Sequence, residues 1–426
     1  MSSEPGTAEP DAPAVGGAEP GGAGPGRAES GGAGPGAPAP SNRLSVPAAT
    51  RRVIRDLHER ATRGALLLLP SGEPRDHLYG LLPAYLLRGG RGVRPALCMA
   101  ACAALGGRYE DALDFAAALE LLHSAFLIHD DIEDDTATRR GGPALHVSAG
   151  LGLALNAGDA LATLAGSAAA RAASRFRPPV ARALLEGWER MVRETVEGQA
   201  LDLGWERDRR DDLGLDDYLE LCGKKTAWYT TVQPLATGAV IASGDPERGR
   251  DTFAFGWLLG ILFQLANDLC GLDAPGRPGD LAEGKRTLLT IRLLAMASDA
   301  DADEVRRILG FSRRERTAAE IDWLVGQLHT TGTLARTRRD LDLLADEAAR
   351  LGTETFGDLP PSEARNVLLA MPAYILETVP TEATTATPTP PSTSARRTLA
   401  GGPGRRSVDP SEFPVRHRDA ARSTAS

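Results

Sequence analysis

Basic charge is scarce in this chain. Its 48 Lys and Arg face 57 Asp and Glu, a net charge of −9. That argues against a general nucleic-acid binder, because a phosphate backbone selects basic surfaces. Aromatic residues make up only 5%, too few for stacking platforms under bases. Cysteine is rare and scattered, at 98, 102, 222 and 270. No disulfide framework is expected, and a reducing cytoplasm is. Cys98 and Cys102 have a ligand-like spacing but no second Cys or His pair close by. They read better as small core residues of an Ala-rich helix. Long apolar runs are missing too. Ala65–Pro70 (ALLLLP) falls well short of the ~18 residues of a membrane span. The start, MSSEPGTAEPDAP, has neither the basic nor the apolar stretch of a signal peptide.

Gly and Pro are plentiful, but many fall in the first 42 and last 48 residues. Residues 1–42 contain a tandem ten-residue unit, AEPGGAGPGR at 18–27 and AESGGAGPGA at 28–37. Two such units cannot bury a core, so this tail is expected to be disordered. Residues 379–426 are Thr/Pro-rich and then Arg-rich, and the same is expected of them. Both tails read either as solubilising spacers or as docking segments for a partner protein or a compartment shell.

Between the tails, residues 43–378 read as one all-α domain. Long Ala/Leu-rich stretches such as DALDFAAALELLHSAFLIHDD and WLLGILFQLANDL lack strand alternation. Helices apolar on most faces belong at the centre of a large bundle. In HSAFLIHDDIEDDTATRR the acids Asp130, Asp131 and Asp134 form a DDxxD pattern. Positions i and i+4 share a helix face, so Asp130 and Asp134 point the same way. Divalent cations would neutralise them, and Mg²⁺ favours a few carboxylates together with phosphate oxygens. Arg139 and Arg140 follow closely, where a phosphate would be gripped from a second side. Upstream, LLRGGRGVRPAL places Arg91 and Arg94 at a glycine-rich helix entry.

These motifs, with FQLAND and EGKRT far downstream, resemble the trans-isoprenyl diphosphate synthases, with the actinobacterial geranylgeranyl and farnesyl diphosphate synthases looking nearest. The resemblance spans about 41–378. It implies an all-α isoprenoid synthase bundle, usually a homodimer. Two acidic motifs would hold about three Mg²⁺ ions on an allylic diphosphate, and isopentenyl diphosphate would attack the allylic cation left by ionisation. Carried over, the metal set is Asp130, Asp131, Asp134, Asn267 and Asp268. Arg139 would meet the allylic diphosphate. Arg91, Arg94, His123 and Arg140 would meet isopentenyl diphosphate. Lys225, Thr226 and Gln264 would face the reacting groups. Arg277 and Lys285 would reach the diphosphate, while Gln199 and Asp159 match recurrent positions. Two positions depart from the family pattern: Arg91 stands for the usual Lys, and Asn267 for the first acid of the second motif. If Asn267 is merely a weakened ligand, Asn267→Asp should raise turnover or Mg²⁺ affinity. Ala125 and Phe126, just before the acids, would line the cavity floor and favour a C15 to C20 product, C20 first. A terpene synthase on the same scaffold, or a weakly active regulatory or compartment-cargo homologue, are the alternatives.

Overall fold

A computed structural model describes residues 45–272 and 279–379. Residues 1–42 and 380–426 of the tails, and Arg277, lie outside the described residues.

Among the described residues there are fifteen α-helices. They are α1 (Ala48–Leu67), α2 (Val93–Ala104), α3 (Leu113–Glu133), α4 (Leu145–Ala149), α5 (Leu151–Ala173), α6 (Pro178–Arg207), α7 (Leu215–Leu221), α8 (Gln233–Ser243), α9 (Phe253–Cys270), α10 (Asp280–Glu283), α11 (Leu288–Met296), α12 (Asp299–Leu309), α13 (Ala318–Thr330), α14 (Thr333–Phe356) and α15 (Glu363–Leu376). A π-helical segment, Cys222–Val232, joins α7 to α8. The only sheet among the described residues is a hairpin of β1 (Thr138–Arg139) and β2 (Gly142–Pro143).

The centre is built from α3 and α9. Helix α3 buries residues on every face, from Phe115 through Leu119 and Leu122 to Ile128, as a helix without a polar stripe must. It packs on α5 and α1, while α9 packs on the π-helical segment and α14. Alanine and glycine let these elements approach closely. A Cβ at Gly260 of α9 would sit 2.3 Å from the Ala227 Cβ, and one at Gly198 of α6 would sit 2.2 Å from the Lys225 backbone nitrogen. The segment bearing Lys225 and Thr226 is therefore clamped from two sides. Tyr109–Glu133 and Arg248–Cys270 are long and apolar enough to cross a membrane, more than the sequence reading allowed. Within the fold, 67% and 61% of their apolar windows are buried, which marks them as core helices. Cys98 and Cys102 are buried free thiols in α2.

Candidate active site

A cavity of about 630 Å³ is lined by residues of α3, the π-helical segment, α9 and the loop ahead of α2. Asp130, Asp134, Arg91, Arg94, His123, Arg139, Arg140, Lys225, Thr226, Gln264, Asn267, Asp268 and Lys285 all border it. The sequence motifs, spread over almost 200 residues, thus converge on one space.

The end of α3 forms one wall. Asp130 accepts a hydrogen bond from Arg139 Nη2 at 3.0 Å. Asp134 pairs with Lys285 Nζ at 2.7 Å. Burial pushes the Asp134 carboxyl above its ordinary range, against the pull of Lys285. Asp131 is placed differently from the expectation of a shared metal site. It is fully buried, does not border the cavity, and accepts from Tyr85 Oη at 2.5 Å and Arg139 Nε at 2.6 Å. Tyr85 Oη in turn accepts from the Leu145 backbone N–H at 2.9 Å. Asp131 therefore fixes Arg139. The hairpin does the rest: Arg140 and Gly141 both have positive φ, 49° and 78°, as a two-residue hairpin turn requires, and this folds the arginine pair back over the acids.

Lys225 and Thr226 come from the π-helical segment, a geometry that often marks functional sites. Lys225 Nζ lies 2.5 Å from Asp202 Oδ2. Burial disfavours both charges, yet the pair outweighs it. Lys225 is held above its ordinary pKa, and Asp202 below its own. Thr226 Oγ1 donates to Gln264 Oε1 at 2.5 Å. Gln264 Nε2 donates to Asp268 Oδ1 at 2.8 Å, and Tyr218 Oη to Asp268 Oδ2 at 2.8 Å. Burial pushes Asp268 up to about 6, although both hydrogen bonds oppose it. Asn267 Oδ1 accepts from Arg91 Nη2 at 2.7 Å.

A basic corner completes the cavity. Arg94 Nη2 donates to Thr230 Oγ1 at 2.9 Å, and its guanidinium lies 4.0 Å from the centre of the Tyr229 ring. Arg140 Nη2 is 3.3 Å from His123 Nε2, while its Nη1 donates to the Gly89 carbonyl. Burial and the neighbouring arginines push His123 well below its usual pKa, so it is a neutral imidazole at pH 7. Close cations that do not neutralise one another suit an anion with several oxygens.

Some expected positions lie elsewhere. Gln199 hydrogen-bonds Glu133 at 2.6 Å, and Asp159 lies 3.4 Å from His129; neither borders the cavity. Ala125 and Phe126 do not border it either. Phe126 packs edge-on against Tyr229, whose ring does. Other residues were missed. Asp202, one helical turn beyond Gln199, was the readable signal. Asp280 and Glu283 precede Lys285 in GDLAEGK, and Glu283 lies 2.9 Å from Lys285 Nζ. Tyr218 meets Asp268 only through the fold, 50 residues apart.

The two carboxylates of α3 suit a divalent metal better than the uncharged amide of Asn267 does. Asp130 and Asp134 are carboxylates one turn apart on the cavity wall, each now holding a cation. Among the described residues no group of three or more His, Cys, Asp or Glu side chains is placed to hold a metal ion. At the end of α9 the Asn267 carbonyl and both Asp268 oxygens accept hydrogen bonds from the protein.

Residues 75–328 match the polyprenyl synthetase family model. The chain belongs to this family. It is a trans-isoprenyl diphosphate synthase, a prenyltransferase of isoprenoid biosynthesis. It is 33% identical to a short chain isoprenyl diphosphate synthase of Methanothermobacter thermautotrophicus, over 71% of this chain and 93% of that protein. Its fold is similar to the crystal structure of geranylgeranyl pyrophosphate synthetase from Pyrococcus horikoshii, with a TM-score of 0.68 and 28% identity over 77% of this chain and 98% of the other. It is also similar to geranylgeranyl pyrophosphate synthase from Corynebacterium glutamicum complexed with isoprenyl diphosphate and magnesium, with a TM-score of 0.66 and 26% identity over 77% and 98%. Archaeal and actinobacterial proteins are both among those it is similar to.

Proposed function

We propose that this synthase condenses isopentenyl diphosphate with an allylic diphosphate to give a C15 to C20 product, geranylgeranyl diphosphate first. The observation that supports the reading is the lining of the cavity: two carboxylates of α3, the guanidiniums of Arg91, Arg94, Arg139 and Arg140 with His123, and Lys225, Thr226 and Gln264 all border one space. That is more cationic donors than one diphosphate needs, which suits elongation better than simple ionisation.

Asp130 and Asp134 would hold Mg²⁺, which when bound neutralises a departing diphosphate. The chain's own groups do the remaining work. Arg139, locked by Asp131, grips the allylic diphosphate beside the two acids. Lys225, paired with Asp202, and Lys285, paired with Asp134 and Glu283, would turn to phosphate oxygens as charge builds on the leaving group. Arg94 and Arg140 grip isopentenyl diphosphate, with His123 donating one hydrogen bond. Thr226 and Gln264 orient the reacting ends, and the apolar wall, including Phe263, keeps water from the allylic cation. The double bond attacks that cation, and a proton is lost to the departing diphosphate.

The protein is inferred to work as a cytoplasmic homodimer. Val147, Leu151 and Leu155 are 55%, 59% and 48% exposed at four-residue intervals along α4 and α5, a stripe that suits a second copy. Incubation with Mg²⁺, isopentenyl diphosphate and each allylic diphosphate, followed by chromatography of the products, tests the function. A C20 diphosphate is expected. Hydrocarbon formed from an allylic diphosphate alone would replace the proposal with a cyclase. No product under any condition would leave a regulatory or cargo homologue.

A further inference from the structure

The cavity wall that carries Asn267 is built unlike the one that carries Asp130 and Asp134. Asn267 offers one carbonyl oxygen, and Arg91 Nη2 sits on it at 2.7 Å. That guanidinium is fixed. Its Nη1 donates to Thr378 Oγ1 at 3.0 Å, its plane lies 4.3 Å from the centre of the Phe263 ring, and the Arg91 backbone carbonyl accepts from Tyr374 Oη at 3.0 Å. The residues that follow Asn267 offer no unengaged carboxylate of their own. Both oxygens of Asp268 accept from Tyr218 and Gln264. Gly271, one turn beyond Asn267, has no side chain, and the Asp280 carboxylate lies 2.7 Å from where its Cβ would be. A dication at Asn267 would need an oxygen that already serves a guanidinium, and would stand beside a positive charge that the fold holds in place.

We propose that Arg91 is the resident cation of this second polar wall, occupying through Asn267 the position where a divalent ion would otherwise bind and presenting its remaining N–H groups to the diphosphate. This rests on the proposed diphosphate chemistry of the cavity. The pairing also explains why an amide suffices at position 267: a guanidinium needs only a carbonyl oxygen, whereas a dication is held best by a carboxylate. It changes the expectation for Asn267→Asp. The new carboxylate would pair with Arg91 and gain no ion unless Arg91 is also removed.

The test counts Mn²⁺ bound by the full chain in the presence of inorganic diphosphate, by electron paramagnetic resonance of the free ion. Wild type is compared with Asn267→Asp and with the double variant Arg91→Gln/Asn267→Asp. The double variant is expected to hold one more Mn²⁺ per chain than wild type, and Asn267→Asp no more than wild type. Equal counts in wild type and double variant, or an extra ion in Asn267→Asp alone, would overturn the inference. If the Gln variant does not fold, Arg91→Met/Asn267→Asp replaces it. It removes the charge and keeps an apolar stem over the Phe263 ring, so the same extra ion is expected and its absence is equally fatal. Product formation separates the two claims. A synthase active in elongation whose counts are equal loses only the Arg91 assignment, whereas a chain with no diphosphate-dependent Mn²⁺ and no prenyl product loses both.

Discussion

Lys225 and Asp202 are the best place to perturb the charge balance of the cavity. Their side chains are 20% and 11% exposed, and the ion pair spans 2.5 Å. With charge centres about 4 Å apart and an effective permittivity of about 20, the attraction is about 4 kcal/mol. Removing one partner of a buried pair strands the other and destabilises by about 3–5 kcal/mol. Asp202→Leu and Lys225→Met should therefore each lower the unfolding free energy by about 3 kcal/mol. The double variant leaves no stranded charge, so it should lose much less than the sum, with a coupling of at least about 1.5 kcal/mol. Urea denaturation followed by circular dichroism reads all four corners of the cycle. Mg²⁺ with inorganic diphosphate should raise the melting midpoint of Asp202→Leu more than that of wild type, because the freed ammonium gains a phosphate partner. Additive losses, or a diphosphate response no larger than wild type, would refute the reasoning that Lys225 is a charged group lent to Asp202 until substrate arrives.

Other outcomes follow from the same structure. The Asp268 carboxyl is raised to about 6 by burial, so the folded state binds its proton more tightly than the unfolded chain. The stability this contributes is complete below about pH 4 and lost as pH rises through about 6, roughly 3 kcal/mol in all. Asp268→Asn should flatten that part of the stability-against-pH curve, and an unchanged slope would count against it. Tyr85→Phe removes the hydroxyl that serves both Asp131 and the Leu145 N–H. A loss of about 1–3 kcal/mol in denaturant unfolding is expected, together with weaker binding of allylic diphosphate through a loosened Arg139. Gly260→Ala drives a methyl into Ala227. It should cost about 1–3 kcal/mol and lower kcat by displacing Lys225 and Thr226, as steady-state kinetics and melting would show.

The parts of the fold and site that were legible in the sequence are those with local signals. The helical bundle shows in apolar periods without strand alternation, and Asp130 with Asp134 in a four-residue spacing that needs only one helix. Asp131 carried the same motif but not the same fate: adjacent residues on a helix point about 100° apart, and here that difference buries Asp131 against Tyr85. The hairpin was hidden because TRRGGP looks like a loop until Arg140 adopts positive φ. Asp202 was readable only as an acid one turn beyond Gln199, and Tyr218 not at all. Their partners lie 23 and 50 residues away, and nothing in a helical period reports which faces of α6 and α7 will meet. Arg91 and Asn267 were each visible as departures from the family pattern. That the two touch is known only from the fold.

The most direct measurement is single-turnover transfer of radiolabelled isopentenyl diphosphate to an unlabelled allylic diphosphate, read as label in longer allylic diphosphate, with wild type and Asp130→Ala side by side. Transfer by wild type should require both Mg²⁺ and the allylic diphosphate, and should fall by about a thousandfold or more in Asp130→Ala, a loss of about 4 kcal/mol in transition-state stabilisation. Equal transfer by the two proteins, or transfer by wild type without a divalent ion, would contradict a prenyl transfer centred on the acids of α3.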